Sequence, residues 1–227
     1  MTDLPQIAIV MVTYKRTREA VITVKSTCEN LIYPKELRSW YFADDGSSPE
    51  HVQSILDELK AHGESLIGYH SEKFWPGTTH CGHGWNIGLQ KGHQYAEIVL
   101  WLEDDWHLDH KLDISNYVRL LMERDDIGLV RLGGLAVGND VRIVGHNGVH
   151  YLQYLRNQQY CYSGNPLLRH TRFLNSYGLF AEDRNPGDIE LDYDGRFRAS
   201  NGPEIWRPAE INPWGAFGHI GTERTFS

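Results

Sequence analysis

The run Ile98-Val99-Leu100-Trp101-Leu102 passes without a break into Glu103-Asp104-Asp105-Trp106. Five consecutive apolar residues, β-branched ones among them, closed by an acidic stop, read as a strand covered on both faces. Its C-terminal end then carries three carboxylates. Charge at the end of a buried strand is costly unless a cation or strong donors satisfy it, and the simplest resident is a divalent metal with oxygen ligands. Acids make up 30 of the 227 residues, so the run gains meaning only from its position and its company.

A second continuous apolar run, Ile7 to Val12, ends in Thr13-Tyr14-Lys15-Arg16 and leads into helical spacing from about Thr17 to Asn30, with Ala20, Val21, Val24 and Cys28 on one face. Trp40 to Ala43 is a short strand that meets Asp44-Asp45-Gly46-Ser47-Ser48-Pro49, a turn whose Ser48 can cap a helix with Pro49 at its first position. That helix is expected over His51 to His62, with Val52, Ile55, Leu56 and Leu59 inward, followed by a strand over Ser65 to His70. Strand, loop, helix, strand is the opening of an α/β unit. In an open α/β sheet, ligands bind outside the carboxyl ends of the strands, so the acids at 44–45 and at 103–105 are expected to face one cleft.

Between the two acidic clusters, Trp75 to Leu89 reads as a glycine-rich loop followed by a helix reaching about Gln94, a place where backbone can approach an anion such as a diphosphate. Its spacing fits neither a Walker loop nor the dinucleotide fingerprint. His80, Cys81 and His83 lack a second ligand pair at finger spacing, which argues against structural zinc. Further on, a loop over His107 to Asp113, a helix over Ile114 to Glu123 and a strand over Ile127 to Leu132 are expected. Val141 to Val144 and Val149 to Leu155 read as antiparallel strands, and Asn165-Pro166 as the opening of a helix over Leu167 to Tyr177. The expected fold is therefore α/β, with a mixed, mostly parallel central sheet flanked by helices and antiparallel strands in the second half.

Composition narrows the function classes. A formal net charge of -8 argues against holding nucleic acid mainly by phosphate neutralisation. An anionic nucleotide is still compatible if a metal bridges the like charges. The chain shows no signal-peptide pattern and no run near the ~18 apolar residues of a membrane span, so the expected setting is cytoplasmic. Three widely spaced cysteines, Cys28, Cys81 and Cys161, suggest buried free thiols rather than a disulfide framework. The length fits one domain over residues 1–227.

Taken together, Val12-Thr13-Tyr14-Lys15-Arg16, Ala43-Asp44-Asp45-Gly46-Ser47, Trp85-Asn86-Ile87-Gly88-Leu89 and Trp101-Leu102-Glu103-Asp104-Asp105 resemble the ordered signature of GT-A (Rossmann-like) glycosyltransferases, most closely the family 2 type. The resemblance covers roughly the first half of the chain. It implies a nucleotide-sugar-binding half over about 1–110 and an acceptor-binding half over about 111–227. It also implies that Thr13 and Tyr14 line the base pocket, that Asp45 beside Asp44 hydrogen-bonds the base, usually uracil, and that Asp104 touches the donor's ribose or sugar. Asp105 would hold Mn2+ or Mg2+ against the diphosphate, with Glu103 standing where the family usually has aspartate and His219 a further candidate metal or diphosphate contact. Trp85 replaces the family's arginine before Asn86, leaving Lys15, Arg16 or His83 to meet the diphosphate on that side, while Asn86 would orient the donor sugar or cap the helix.

In the later half, Gly187-Asp188-Ile189-Glu190-Leu191 looks like the element that supplies the general base of inverting members. Asp188 is the first choice, with Glu190, Asp183 and Glu182 as rivals; the competing reading is a solvated acidic helix start. The function implied is a metal-dependent, inverting glycosyltransferase that uses a nucleotide-diphosphate sugar, with a UDP-sugar favoured. The acceptor is a glycan, a small molecule or a hydroxymethylated nucleobase in DNA. Two other classes stay open at this point. A nucleotidyltransferase is expected to carry a glycine-rich basic loop after the first strand, where this chain has Thr13-Tyr14-Lys15-Arg16. A non-catalytic nucleotide- or carbohydrate-binding module would bind sugar without turnover.

Overall fold

The computed structural model describes residues 4–72, 81–134 and 141–221. The first half alternates strand and helix. The strand β1 (Ile7–Thr13) leads to the helix α1 (Thr17–Asn30), then come β2 (Leu31–Ile32), β3 (Arg38–Asp44), α2 (Pro49–Ala61) and β4 (Ser65–Ser71). The helix α3 (Cys81–Tyr95) precedes β5 (Ile98–Glu103), and the short strands β6 (Trp106–His107) and β7 (Leu112–Asp113) follow. The second half holds α4 (Ser115–Glu123), β8 (Ile127–Arg131), the hairpin β9 (Val141–His146) and β10 (Val149–Tyr154), β11 (Leu167–His170), α5 (Thr171–Tyr177), α6 (Pro186–Arg198), β12 (Glu204–Pro208) and β13 (Gly218–His219).

Among the described residues, nine strands form one sheet in the order β4-β3-β1-β5-β11-β8-β12-β10-β9. β11 and β10 run against the other seven, so the sheet is mixed and mostly of one direction. β6 pairs with β13, and β2 with β7, in two small ladders.

The continuous apolar runs have a direct explanation. Alternate residues of one strand enter two different cores: Ile7, Ile9 and Met11 of β1 join one cluster with Trp40, Phe42, Ile98 and Leu100, while Ala8, Val10 and Val12 join the other with Tyr41, Val99 and Trp101. A strand wetted on one side would alternate apolar and polar residues; one covered on both sides does not. The helices α1, α2 and α4 supply the first cluster, and α3, α5 and α6 the second.

Local sequence explains several boundaries. Ser48 caps α2 by accepting from the His51 N–H (3.4 Å), with Pro49 at the first helical position. Asn185 caps α6 in the same way, accepting from the Asp188 N–H at 3.0 Å. The three cysteines are free and buried. No described helix is long and apolar enough to cross a membrane.

Three local expectations need correction. Gly82, Gly84 and Gly88 lie inside α3 rather than in a loop. Close packing requires two of them, since a Cβ on Gly82 would sit 2.3 Å from the Ala181 carbonyl oxygen and one on Gly88 2.9 Å from Val10; at Gly84 the neighbour is the end of the Asp45 side chain. Leu167 to His170 is a strand, not the first turn of a helix, because it fills the slot between β5 and β8 and pairs with both. Tertiary pairing there overrides the helical appearance of a short apolar run. The stretch from His107 to Asp113 contains β7 and the end of β6 rather than being all loop. The expected loop at Trp75 to His80 lies outside the described residues.

Candidate active site

β3, β1 and β5 are adjacent and parallel, so Asp44, Thr13 and Glu103 end at the same edge of the sheet. The register pairs Thr13 with Asp44 and Val12 with Glu103. From β1 the chain moves outward through β3 to β4 and then returns to β5 on the other side of β1, and that reversal opens a crevice at the strand ends. A cavity of about 580 Å3 fills it, lined by Val12, Thr13, Tyr14, Arg16, Asp45, Cys81, Trp85, Glu103, Asp104, Asp105, Asn185, Pro186 and Gly187.

Asp104 is held at the centre. Its Oδ2 accepts from the Tyr14 N–H and from the Thr13 hydroxyl, each at 2.9 Å, and its carbonyl accepts from the Thr23 hydroxyl at 2.9 Å. Burial pushes its carboxyl up to about 7; the Tyr14 N–H, Thr13 and Arg16 pull the other way, and the charge of Asp105 adds to the rise. Thr13, having donated its hydroxyl proton to Asp104, accepts from His51 Nε2 at 2.8 Å, and His51 Nδ1 in turn accepts from the Thr17 hydroxyl at 2.9 Å. This order fixes the neutral Nε2–H tautomer of His51. Burial lowers the pKa of that imidazole, against the opposing charge of Asp44.

Asp105 has a different environment. Its Oδ2 is bonded by Arg16 Nη1 and lies 3.1 Å from His219 Nε2. Its Oδ1 is buried without a hydrogen-bond partner. The Ile220 N–H donates to the Asp105 carbonyl at 2.8 Å, and a Cβ on Gly221 would lie 2.4 Å from Oδ2, so the C-terminal strap lies directly against this carboxylate. His219 is placed by β13, which pairs with β6, and its ring meets Trp106 edge-on at 5.0 Å.

Asp45 lines the cavity with Oδ1 buried and unpartnered, and its carboxyl is pushed up to about 8 by burial, then by the charges of Asp44 and Asp104. Asp44 lies outside the cavity lining. Its Oδ2 accepts from the Ser47 N–H (2.9 Å) and the Ser71 hydroxyl (2.6 Å), which shapes the turn that presents Asp45. Glu103 lines the cavity, and burial pushes its carboxyl well above the usual range, with the charges of Asp105 and Glu190 adding to the effect.

Other expected residues stand apart from the cavity wall. Asn86 is buried with its amide spent on protein: Nδ2 donates to the Phe180 carbonyl (3.0 Å) and to Glu182 (2.8 Å), and Oδ1 accepts from the Phe180 N–H (2.8 Å). It ties α3 to the segment before α6. His83 Nδ1 lies 3.2 Å from Glu182. Lys15 adopts φ +60°, its N–H donates to Ser47 (2.8 Å) and its ammonium lies 4.5 Å over the Tyr14 ring. Asp188 is exposed and bonded to its own cap, Asn185, while Asp183 is exposed beside Arg184. Glu190 reaches inward: its Oε1 accepts from the Gly164 N–H and from Ser163 (3.3 Å), and a Cβ on Gly164 would stand 3.0 Å from an oxygen of both Glu103 and Glu190.

His51 and the Asn185-Pro186 turn are parts of the site with no role expected from sequence, and Trp85, expected only as a replacement for arginine, lines the cavity. His51 had a signal, since it is one turn before Ile55 and two before Leu59, the buried face of α2.

Among the described residues no group of three or more His, Cys, Asp or Glu side chains is arranged to hold a metal ion. The orphaned, buried Oδ1 of Asp105 nevertheless fits a cation that takes most of its other ligands from water and substrate phosphate, the usual habit of Mg2+ in phosphate sites.

No protein-family model matches the sequence, and no curated protein matches it either. Solved structures do. The mannosyltransferase PcManGT from Pyrobaculum calidifontis, in complex with GDP-Man and Mn2+, matches with a TM-score of 0.61 at 14% identity, covering 92% of this chain and 56% of its own. S. aureus TarS 1-349 in complex with UDP gives 0.65 at 16% identity, covering 90% and 58%. GalNAc-T7 with UDP, GalNAc and Mn2+ gives 0.63 at 14% identity, covering 97% and 45%. The chain spans about half the length of these proteins. At such identities the likeness is one of fold.

Proposed function

From the GT-A fold and the cavity at its strand ends, we propose that the chain is a metal-dependent, inverting glycosyltransferase that moves a sugar from a nucleotide-diphosphate sugar, a UDP-sugar, to an acceptor hydroxyl. The observation that carries this reading is the division of labour between adjacent carboxylates. Asp104 has its Oδ2 engaged by the Tyr14 N–H and the Thr13 hydroxyl, whereas Asp105 keeps one buried oxygen unpartnered beside the cavity. Proteins of this fold solved with GDP-Man, UDP or GalNAc, two of them with Mn2+, support the same reading.

In this account Asp45 accepts an N–H of the base, which relieves its unpartnered Oδ1, and Thr13 and Tyr14 form the wall beside it. Asp104, oriented by the Tyr14 N–H and the Thr13 hydroxyl, receives a hydroxyl of the ribose or of the donor sugar. Asp105 holds Mn2+ or Mg2+, with Glu103 and His219 flanking it. A divalent ion bound there supplies Lewis-acid neutralisation of the charge that develops on the leaving diphosphate. Arg16, which already touches Asp105 and lies 3.6 Å from Asp104, adds a cationic group on the same side.

Inversion in one displacement needs a base on the face opposite the leaving group. Asp188 and Glu190 are the two candidates, and the surroundings support Glu190. Its Oε1 is fixed by the Gly164 N–H, beside Glu103 on the cavity wall, whereas Asp188 is exposed and bonded to its own helix cap. Glu190 then takes the acceptor hydroxyl proton on Oε2.

The test is donor turnover. With Mn2+ and a panel of UDP- and GDP-sugars, the protein should release nucleoside diphosphate, slowly to water and faster with acceptor, and Asp105→Ala should not. Release of inorganic pyrophosphate or nucleoside monophosphate in its place would indicate nucleotidyl transfer and end the glycosyltransferase reading.

A further inference from the structure

A second cavity, of about 750 Å3, adjoins the first across the β5–β6 turn. Its size lies within the roughly 300–1,000 Å3 of small-molecule sites. Two contacts join it to the donor cavity. Trp106 lines the second cavity and donates its indole N–H to Glu103 of the first at 3.3 Å; His219 lines the second, with Nε2 3.1 Å from Asp105 of the first. The rings of Trp106 and His219 therefore form a shared wall.

On this cavity stands Trp214, 82% exposed. A tryptophan left in water is ordinary on a slack loop, but this loop is pinned. Arg207, buried in the sheet, donates to the carbonyls of Gly133 (3.2 Å), Ile211 (3.0 Å) and Asn212. The Trp214 N–H donates to Asn212 Oδ1 at 3.0 Å, the Gly215 N–H to the Asn212 carbonyl at 2.8 Å, and the Ala216 N–H to the Leu132 carbonyl at 2.8 Å. Gly215 takes φ +104° where its Cβ would lie 2.8 Å from the Gly134 nitrogen, so no other residue fits there. The chain thus spends a buried guanidinium and a glycine-only turn on holding its largest side chain out in solvent.

Polar groups on the same lining are of both kinds. Glu210 accepts from the Tyr117 hydroxyl at 2.6 Å, which orients its carboxylate, and Asn116 Oδ1 accepts from Arg119 at 3.0 Å, which fixes the amide's other end as the donor. Asp109 stands on the same lining. A flat apolar face with carboxylates and an amide donor at its rim matches the C–H face and the hydroxyls of a pyranose. Asp109, Asp113 and Glu210 outnumber Lys111 on the lining, and that net negative charge opposes a polyanion.

We infer that this second cavity is an acceptor subsite that binds a sugar ring of a neutral oligosaccharide on Trp214, next to the donor cavity across Trp106 and His219. The word acceptor rests on the glycosyltransferase reading above; the saccharide site does not.

The test is ligand-observed saturation-transfer NMR with chitotetraose, cellotetraose, maltotetraose and mannotetraose, and a single-stranded oligonucleotide as the anionic probe, on the wild type, Trp214→Ala and Asn116→Ala. Mn2+-dependent UDP and GDP affinity is measured on each protein. The expected result is binding of at least one neutral tetrasaccharide, weakened about tenfold by Trp214→Ala, with nucleotide affinity at the wild-type value. The inference is overturned if no tetrasaccharide binds, if binding is equal in Trp214→Ala, or if the oligonucleotide is the probe that depends on Trp214. Saccharide binding that needs Trp214, in a protein that binds no nucleotide, would keep the site and end the glycosyltransferase reading instead.

Discussion

The Thr13 hydroxyl donates to Asp104 Oδ2 across 2.9 Å, joining the end of β1 to the residue that follows β5. With the Thr13 hydroxyl proton directed at Asp104, His51 Nε2, 2.8 Å from Thr13 Oγ1, is the donor of that second bond. A histidine on the buried face of α2 thus sets a carboxylate in the cavity.

Replacing that histidine tests the relay. His51→Phe keeps the volume and removes both ring nitrogens, leaving Thr13 and Thr17 without their shared partner. It should cost about 1–3 kcal/mol in chemical denaturation and weaken nucleotide binding as well. A variant equal to wild type in both measurements would show that the relay orients nothing.

Asp45 gives the clearest pH signature. Its folded-state pKa of about 8 lies above the 3.8 of the free side chain, so between those values the folded state retains a proton that the unfolded state has released. Its contribution to stability is therefore present below about pH 4 and is lost as pH rises towards 8. Metal- and nucleotide-free Asp45→Asn should flatten that fall and exceed the wild type at pH 8 by on the order of 2 kcal/mol. Denaturation midpoints at pH 5 and pH 8 check this; an equal gap between the two proteins at both values would contradict it.

Two glycines of α3 should behave oppositely. In Gly92→Ala the new methyl meets Val10 at 2.6 Å and Val99 at 2.9 Å, stiff side chains of β1 and β5, and destabilisation of about 1–3 kcal/mol is expected. In Gly84→Ala the obstacle is the end of the Asp45 side chain at 2.1 Å, which can swing away. Stability should hold or rise by up to about 1 kcal/mol from helix propensity, while nucleotide affinity falls because Asp45 has moved. Thermal melts paired with nucleotide titrations separate the two cases.

Much of this arrangement was legible beforehand. Apolar runs covered on both faces announce themselves in sequence, so β1 and β5 and the acids at their ends could be placed within a residue or two. The Ser48-Pro49 and Asn185-Pro186 starts are equally local signals. What stayed hidden depends on partners far along the chain. Leu167 to His170 is a strand only because β5 and β8 leave a slot for it. Asn86 sits in a motif that suggests ligand contact, yet its amide is taken up by Phe180 and Glu182, 94 and 96 residues away. The glycines of α3 suggested a phosphate loop because sequence shows that a side chain is absent, not which neighbour requires its absence.

In the proposed reaction the unpartnered oxygen of Asp105 holds a divalent cation together with a nucleoside diphosphate. Calorimetric titration of UDP and GDP, with and without Mn2+, into the wild type and into Asp105→Ala tests it most directly. Binding of one of these nucleotides should require Mn2+ and be lost in Asp105→Ala. Nucleotide binding of equal strength with and without Mn2+, or unchanged in Asp105→Ala, would contradict it.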